Sequence, residues 1–158
     1  MRSSAASTRP SDGPRVRELG GGDLDALPDL YGHRYEEPPE HTLAVEAGWQ
    51  DLLADERTAI LGVEHEGRLV ASFQLTIVPA VPHEWRPFAV LEHAVTHADH
   101  RGQRFGTRCV ERAIECAHER GCYTVFVQTG REDPRVHEFY EQCGFDGDAK
   151  TGYSLSLE

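Results

Sequence analysis

The stretch HRGQRFGT, residues 100–107, gathers positive charge and glycine within a chain that is acidic overall. Arg101, Arg104 and Arg108 recur at roughly one-turn spacing, so two or three guanidinium groups can face one anion. The glycines between them allow a ligand to approach the backbone closely. The stretch lies where an alternating apolar segment gives way to helical spacing, and a helix N-terminus offers free N–H groups to an anion. These residues predict a cradle for a pyrophosphate.

The alternative interpretation of this stretch is a charged surface that only keeps the protein soluble. Its position between a long strand and a helix favours phosphate binding instead. The spacing matches neither G-x-G-x-x-G nor G-x-x-x-x-G-K-[ST], and no early βαβ unit contains it. A dinucleotide-binding fold is therefore not favoured.

The composition of the chain limits its partners. Its 158 residues include 16 Lys and Arg against 27 Asp and Glu, a formal net charge of −11. Nonspecific nucleic-acid binding needs a basic surface, so we expect no nucleic-acid partner. No segment has the roughly 20 apolar residues of a membrane span or the apolar run of a signal peptide, so we expect no membrane partner and a cytoplasmic protein. Residues 1–14, rich in Ser and Pro, predict a disordered tail before one domain at 15–158.

Histidines and cysteines suggest a metal site without completing one. His93, His97 and His100 run along a strand into a loop, and no carboxylate pattern accompanies them. The four cysteines contain no C-x-x-C pair and are typical of small buried side chains. We therefore expect no metal.

The elements that position these residues follow from hydrophobic spacing, because alternation predicts strands and apolar residues three and four apart predict helices. Asp23 is a possible helix cap within residues 20–35, Gly121 ends the helix after the cradle, and Asp133 with Pro134 begins the next. The predicted strands are 15–19, 58–65, 68–78, 88–97, 122–129 and 152–158, and the predicted helices include 42–56, 105–120 and 134–143.

The order of these elements predicts the fold class. Glu66 and Gly67 between two strands are typical of a hairpin turn. The strand–helix–strand unit at 88–129 predicts a parallel pair with a right-handed crossover. The expected architecture is α/β, with one mixed sheet and helices on both of its faces.

Residues Leu91 to Phe145 resemble the GNAT superfamily of acyl-CoA N-acyltransferases. The likeness rests on LEHAVTHADHRGQRFGTRCVERAIECAHERGCYTVFVQTG and on VHEFYEQCGF. The family motif [RQ]-x-x-G-x-[GA] is matched at Arg101 and Gly106 and departs at Arg104, where the motif has glycine. The resemblance implies a single mixed, mostly antiparallel sheet whose fourth and fifth strands, a parallel pair, splay apart to admit acyl-CoA.

The resemblance also implies which residues hold the cofactor. Backbone amides of the motif bind the pyrophosphate of acetyl-CoA, and the end of the preceding strand binds pantetheine. Many members have asparagine seven residues before the helix tyrosine, whereas this chain has Asp133, whose carboxylate cannot donate that hydrogen bond. The expected cofactor-binding residues are Ala94, Val95, Thr96, Arg101, Gly102, Gln103, Arg104, Phe105, Gly106, Thr107 and Asp133.

For acetyl transfer, the resemblance assigns Tyr140, in FYEQCGF, as the general acid that protonates the departing thiolate. The alternative for Tyr140 is an ordinary core tyrosine. Glu92 is the candidate base, acting directly or through water, and its alternative role is to orient the acceptor ammonium. A strand N–H near Ala94 or Val95 can polarise the carbonyl. The expected acceptor-binding residues are Tyr31, Tyr35, Trp85, Glu92 and His93.

These expectations describe an N-acetyltransferase that moves an acetyl group from acetyl-CoA to a primary amine by direct attack in a ternary complex. A small-molecule acceptor is expected. The segment LEHAVTH also resembles a strand of glucosamine-6-phosphate N-acetyltransferases but is too short to identify the acceptor. The alternatives are an acetyltransferase for protein lysines or N-termini and a non-catalytic acyl-CoA sensor. The family also implies a homodimer.

Overall fold

A five-stranded mixed sheet organises the computed structural model, which describes residues 13–158. The three pairings among the first four strands are antiparallel, and the last pairing is parallel. The tail expected at residues 1–14 lies almost wholly outside the described residues. In spatial order the strands are β1 (Arg15–Glu18), β2 (Thr58–His65), β3 (Arg68–Val78), β4 (Phe88–Thr96) and β5 (Val125–Val127).

Helices connect these strands. A 3₁₀ helix at Gly21–Ala26 follows β1, and a short 3₁₀ turn at Ala98–His100 follows β4. Thr42 caps the helix before β2, since its hydroxyl accepts a hydrogen bond from the backbone N–H of Val45 at 3.2 Å. The α-helices are α1 (Leu27–Tyr31), α2 (Leu43–Ala54), α3 (Phe105–Glu119) and α4 (Pro134–Gln142).

Strand alternation divides the core into two layers, one on each face of the sheet. Ile60 of β2 packs with Trp49 of α2 and with leucines around α1. Its neighbour Leu61 points to the opposite face and packs with Cys109 and Val110 of α3. Helices therefore cover both faces, and the predicted α/β class with a single mixed, mostly antiparallel sheet is confirmed.

Positive-φ residues make the turns that bring the site together. Glu66 and Gly67 have φ of 51° and 75°, which suits the predicted tight hairpin between β2 and β3. Gly121 (φ 74°) ends α3, as predicted, and returns the chain to β5. Because β4 and β5 are parallel, their carboxyl ends and the N-terminus of α3 lie at the same end of the sheet.

The sheet opens at that end because β4 continues beyond the last residue that pairs with β5. The parallel ladder covers Ala89–Leu91 opposite Val125–Val127, whereas β4 continues to Thr96. Beyond Leu91 the facing backbone groups of β4 are free of β5, so a ligand can reach them.

A β-bulge at the same place turns β4 out of register with β3. The pairs Ser72–Val95 and Gln74–Glu92 leave one extra residue on β4. His93 lies inside the bulge with a φ of 55°, a left-handed conformation that is uncommon outside glycine. Bulges redirect side chains and backbone groups, and this one does so where β4 and β5 separate.

One prediction about elements is wrong, and one is corrected in position. Alternation in GYSLSLE predicts a strand at 152–158, but no strand forms there, and every residue from 146 to 158 is exposed. Alternation selects a face, whereas a strand also needs a neighbour for its backbone groups, and none of the described strands pairs with this segment. Asp23 is not the N-cap residue: Gly20 is, and Asp23 caps the helix from the third helical position, where its carboxylate accepts a hydrogen bond from the Gly20 N–H at 2.7 Å.

Candidate active site

A cleft of about 620 Å³ occupies the gap between the diverging ends of β4 and β5. The second half of β4 forms one wall, and the residues that follow β5 form another. The first turn of α3 and one side of α4 complete the lining. The volume lies in the ordinary range of small-molecule sites.

The turn into α3 has the shape of an anion cradle. Gly102 has a φ of 78°, and Arg104, the residue before the helix, is left-handed with φ 64° and ψ 19°. Arg104 thus adopts the backbone conformation that glycine, the family residue here, reaches without strain. Residues 105–107 line the cleft, and their N–H groups have no carbonyl partner within the helix. Backbone donors and the positive end of α3 therefore face the cleft together.

Arg101 is held at the rim of this cradle by the loop after α1. One Nη atom of Arg101 donates a hydrogen bond to the carbonyl oxygen of His33 at 3.0 Å. The guanidinium is exposed, and its other nitrogen atoms have no hydrogen-bond acceptor among residues 13–158. Those donors are free to bind an anion.

The opposite end of the cleft is organised around the β4 bulge. The Arg34 guanidinium donates to the carbonyl oxygen of Ala94 at 2.8 Å, and the Tyr35 hydroxyl is 3.2 Å from Nδ1 of His93. Glu92 lies in the same wall, half-buried, one residue before the bulge. A carboxylate, an imidazole and a guanidinium therefore converge where β4 bends.

Tyr140 faces this group from α4. Its ring packs edge-on against Phe139 and Phe145, with centroids 5.0 and 5.9 Å away. Burial raises the pKa of the phenol above its ordinary value, the positive charge of Arg34 opposes that rise, and Glu92 adds to it. The phenol is therefore protonated at neutral pH and able to donate a proton.

Asp133 has a structural partner as well as a place in the cleft. Its carboxylate accepts a hydrogen bond from the backbone N–H of Arg135 at 3.0 Å, which caps α4, and it pairs with the Arg135 side chain at 2.9 Å. The hydrogen bond from the Arg135 side chain lowers the pKa of Asp133, so the carboxylate is ionised. The family asparagine can make the same cap and also donate from its amide.

The structure brings most of the predicted site residues to this cleft. Both expected catalytic residues, Glu92 and Tyr140, line it. Every expected cofactor-binding residue except Gln103 lines it too. Among the expected acceptor-binding residues, His93 lines the cleft, and Tyr35 reaches it through His93.

Two expected acceptor-binding residues lie elsewhere. Tyr31 lines a separate cavity of about 190 Å³ between α1, α2 and the sheet, where burial raises the pKa of its phenol. Trp85 is 75% exposed in the loop before β4, whereas the cleft lies at the other end of that strand. The structure therefore does not bring Tyr31 or Trp85 to the cleft.

Sequence reasoning missed Arg34 and Arg131, which both line the cleft. Arg34 is 60 residues from its partner Ala94, so no local spacing connects them. Arg131 lies in the loop after β5, between residues that carry no periodicity. The only available signal was the presence of arginine beside Tyr35 and beside Asp133.

Metal-ligating clusters and membrane-spanning helices are both absent from residues 13–158. These residues contain no group of three or more His, Cys, Asp or Glu side chains arranged to hold a metal ion. They also contain no helix that is long and apolar enough to cross a membrane.

Comparison with known proteins gives the cleft a context. Residues 24–145 match the model of the acetyltransferase (GNAT) family. A glucosamine 6-phosphate N-acetyltransferase from Trypanosoma brucei brucei is 28% identical over 132 residues, which cover 82% of this chain and 87% of that protein.

Solved structures agree with this match. A protein from Agrobacterium tumefaciens described as an acetyltransferase superposes with a TM-score of 0.85 at 38% identity, covering 90% of this chain and 99% of that chain. A glucosamine-6-phosphate N-acetyltransferase from Arabidopsis thaliana superposes with a TM-score of 0.81 at 19% identity, covering 93% and 100%. The second likeness concerns the fold alone.

Proposed function

The chain belongs to the GNAT family of acetyltransferases, and on that premise we propose that it transfers an acetyl group from acetyl-CoA to the primary amine of a small molecule. The observation that carries the proposal is a single cleft with an anion cradle at one end and an acid facing a carboxylate at the other. The cradle at residues 101–107 binds the pyrophosphate. The free edge of β4 beyond Leu91 binds pantetheine.

The proposed reaction is direct attack in a ternary complex. The amine nitrogen attacks the thioester carbonyl carbon, a C–N bond forms, and the C–S bond breaks. Glu92 accepts the proton that the amine loses, directly or through water, and Tyr140 donates a proton to the thiolate. A backbone N–H at Ala94 or Val95, beside the bulge, polarises the carbonyl oxygen.

The acceptor that fits this end of the cleft carries an anionic group beside its amine. Arg34 and Arg131 line the cleft, and both act electrostatically on Tyr140 against the effect of burial. Guanidinium groups suit a phosphate or carboxylate, while Glu92 suits the ammonium. The similarity to glucosamine 6-phosphate N-acetyltransferases supports a phosphorylated amino sugar as the first acceptor to test.

Calorimetry with acetyl-CoA tests the cofactor half of the proposal. Arg101→Glu should weaken binding more than tenfold, since it places a negative charge at an anion site. Arg57→Glu makes the same charge change at a side chain that is 63% exposed and paired with Asp55. The affinity of this variant for acetyl-CoA should stay within about twofold of the wild type. Equal affinities in the two variants would remove the cradle assignment.

A thiol-release assay tests the acceptor half. The panel contains glucosamine 6-phosphate, glucosamine and a lysine peptide, each with acetyl-CoA. Turnover on the phosphorylated amine above the other two supports the proposal. Turnover on the peptide alone would make the protein a protein acetyltransferase, and acetyl-CoA binding with no turnover on any amine would make it a sensor.

We also propose a homodimer in which residues 152–158 of each copy add to the free edge of β5 in the other. The segment alternates apolar and polar residues, yet Tyr153, Leu155 and Leu157 are 93%, 85% and 93% exposed. Among residues 13–158, β5 pairs with β4 on one side only, so its other edge has backbone groups without a strand partner there. An alternating segment and an open edge are complementary.

A further inference from the structure

Two histidines hold the turn that leads into the cradle. His97 caps the 3₁₀ turn at Ala98–His100, because its Nδ1 accepts a hydrogen bond from the backbone N–H of Asp99 at 3.1 Å. His33, in the loop after α1, reaches the same turn: its Nδ1 accepts from the backbone N–H of Ala98 at 3.3 Å. Two successive N–H groups of one turn are thus satisfied by two imidazoles from different parts of the chain.

Both contacts require neutral imidazoles. A ring nitrogen that accepts a hydrogen bond from an N–H group carries no proton, so each ring has its proton on Nε2. Protonation would set an Nδ1–H against a backbone N–H and turn attraction into repulsion. The two rings also lie against each other, with centroids 3.8 Å apart, so two charges there would repel.

The surroundings of His97 also favour the neutral form. The residue is 8% exposed, and its burial lowers the pKa of the imidazole; the nearby His33 lowers it further, and Asp99 partly opposes this. The other charged or titratable groups facing it are Arg68 from β3 and His100 from its own turn, with His65 of β2 beyond His100.

The same loop holds both ends of the cleft. The carbonyl of His33 accepts the hydrogen bond from Arg101, which belongs to the cradle. The next residue, Arg34, donates to Ala94 at the β4 bulge. Release of His33 from the turn would therefore free Arg101 and loosen the contact at the acceptor end.

We propose that His33 and His97 form a latch that positions Arg101 and the turn before α3, and that protonation of the buried His97 below about pH 6.5 releases the turn and weakens acetyl-CoA binding. The inference rests on the proposed function, because it concerns the proposed cofactor site. His33 and His97 are positioning residues, since they act through the turn and through Arg101.

The sign of the effect follows from the direction of the His97 pKa. Above about pH 6.5 the imidazole is neutral in the latched and in the released state, and the latch is complete. As the pH falls below that value, the released imidazole takes up a proton that the latched one resists, so release becomes progressively more favourable.

Calorimetry with acetyl-CoA at about pH 7.5 and 5.5 provides the test. His97→Asn keeps an acceptor for the N–H of Asp99 at the position of Nδ1, because the Asn Oδ1 is also bonded to Cγ, and it cannot titrate. The wild type should lose about three- to tenfold more affinity on acidification than His97→Asn. His33→Leu, which has no acceptor, should bind weakly at both pH values.

His118→Asn is the matched control, since His118 is an exposed histidine of α3 outside the cleft. It should lose as much affinity on acidification as the wild type, which also corrects for titration of the ligand phosphate. An equal loss in wild type and His97→Asn would overturn the latch. An absence of acetyl-CoA binding at every pH would instead overturn the proposed function.

The imidazole nitrogen spectrum gives an independent readout. At about pH 7.5 the ¹⁵N shifts of His33 and His97 should report protonated Nε2 and bare Nδ1 in both rings. Protonated Nδ1 in either ring at that pH would also overturn the latch.

Discussion

At the scale of single residues, Tyr140 combines burial with a place opposite Glu92. Burial keeps its proton on the oxygen at neutral pH, and the nearby Arg34 limits how far the pKa rises. The hydroxyl has no hydrogen-bond partner among residues 13–158, so the fold uses the ring and leaves the oxygen free. If Tyr140 served only in packing, its replacement by phenylalanine would leave the activity unchanged.

Tyr140→Phe therefore separates chemistry from packing. Steady-state kinetics should show kcat reduced by about 10²- to 10⁴-fold, with a modest change in acetyl-CoA affinity and an unchanged Tm. Because burial raises the pKa of this phenol above about 10, the wild-type rate should not fall from its ionisation until the pH exceeds that value. Tyr123→Phe, which removes a hydroxyl outside the cleft, is the control, and a wild-type kcat in Tyr140→Phe would make Tyr140 a packing residue.

Arg104 carries a backbone strain that glycine would relieve. Its φ of 64° costs a residue other than glycine about 1–2 kcal/mol. Glycine avoids this cost but offsets part of the gain, because it also increases the conformational entropy of the unfolded chain. Arg104→Gly should raise the free energy of unfolding by up to about 1 kcal/mol and change acetyl-CoA affinity by less than about fivefold.

Arg108→Gly is the matched control for this substitution. Arg108 lies inside α3, where glycine lowers the free energy of unfolding by about 1 kcal/mol. Urea denaturation of the two variants should give shifts of opposite sign. Destabilisation by both would mean that the turn before α3 does not need a left-handed residue.

At the scale of elements, the gap between β4 and β5 results from two features: one ladder ends early, and the neighbouring ladder contains a bulge. The β4–β5 ladder ends at Leu91, and the bulge at His93 redirects β4 from there. α4 then closes the gap from the side, and its first turn is fixed by Asp133. The cap of α4 therefore affects stability and the shape of the cleft together.

Substitutions of Asp133 distinguish these two roles. Asp133→Asn keeps the acceptor for the N–H of Arg135 and adds an amide donor, so Tm should change little and acetyl-CoA affinity should rise. Asp133→Ala removes the acceptor and should lower Tm by a few degrees. Scanning calorimetry and acetyl-CoA titration measure the two effects. Weaker binding by Asp133→Asn would mean that the carboxylate itself contacts the cofactor.

At the scale of the whole molecule, two cores share one sheet, and one apolar segment remains outside both. Leu155 and Leu157 are almost fully exposed and belong to neither core cluster, although Lys150, a few residues earlier, lies 4.8 Å from the ring centroid of Phe126 in β5. The chain thus passes β5 before its apolar residues enter solvent. A second copy offers the same edge and the same segment, as a two-fold dimer requires.

Leu155→Lys with Leu157→Lys should convert the proposed dimer to a monomer. Lysine at both positions places charge on the apolar face of the added strand and leaves the two cores untouched. Light scattering after size exclusion should report a dimer for the wild type and a monomer of unchanged helicity for the variant. Ser154→Lys with Ser156→Lys, on the opposite face, should remain dimeric. A monomeric wild type would contradict the proposal.

The sequence alone was sufficient for most of what depends on local chemistry. Period-two alternation placed β2, β3 and β4, helical spacing placed α3, and Gly121 and Pro134 marked helix ends. The left-handed turn into α3 and its positive charge could be read from the sequence because charge, glycine and a helix start are neighbours along the chain, and phosphate binding there stays a prediction. Asp23 caps the helix as expected, but from a position three residues after the N-cap Gly20, because an aspartate can cap a helix either from the N-cap position or from the third helical position.

Only the tertiary structure decided what joins distant segments. The contact of Arg34 with Ala94 spans 60 residues, and no pattern in either segment requires the other. The alternating segment at 152–158 formed no strand because pairing is a property of two segments, whereas alternation belongs to one. Tyr31 lines a separate cavity beside α1, and Trp85 lies in the loop before β4, whereas the cleft is at the other end of that strand.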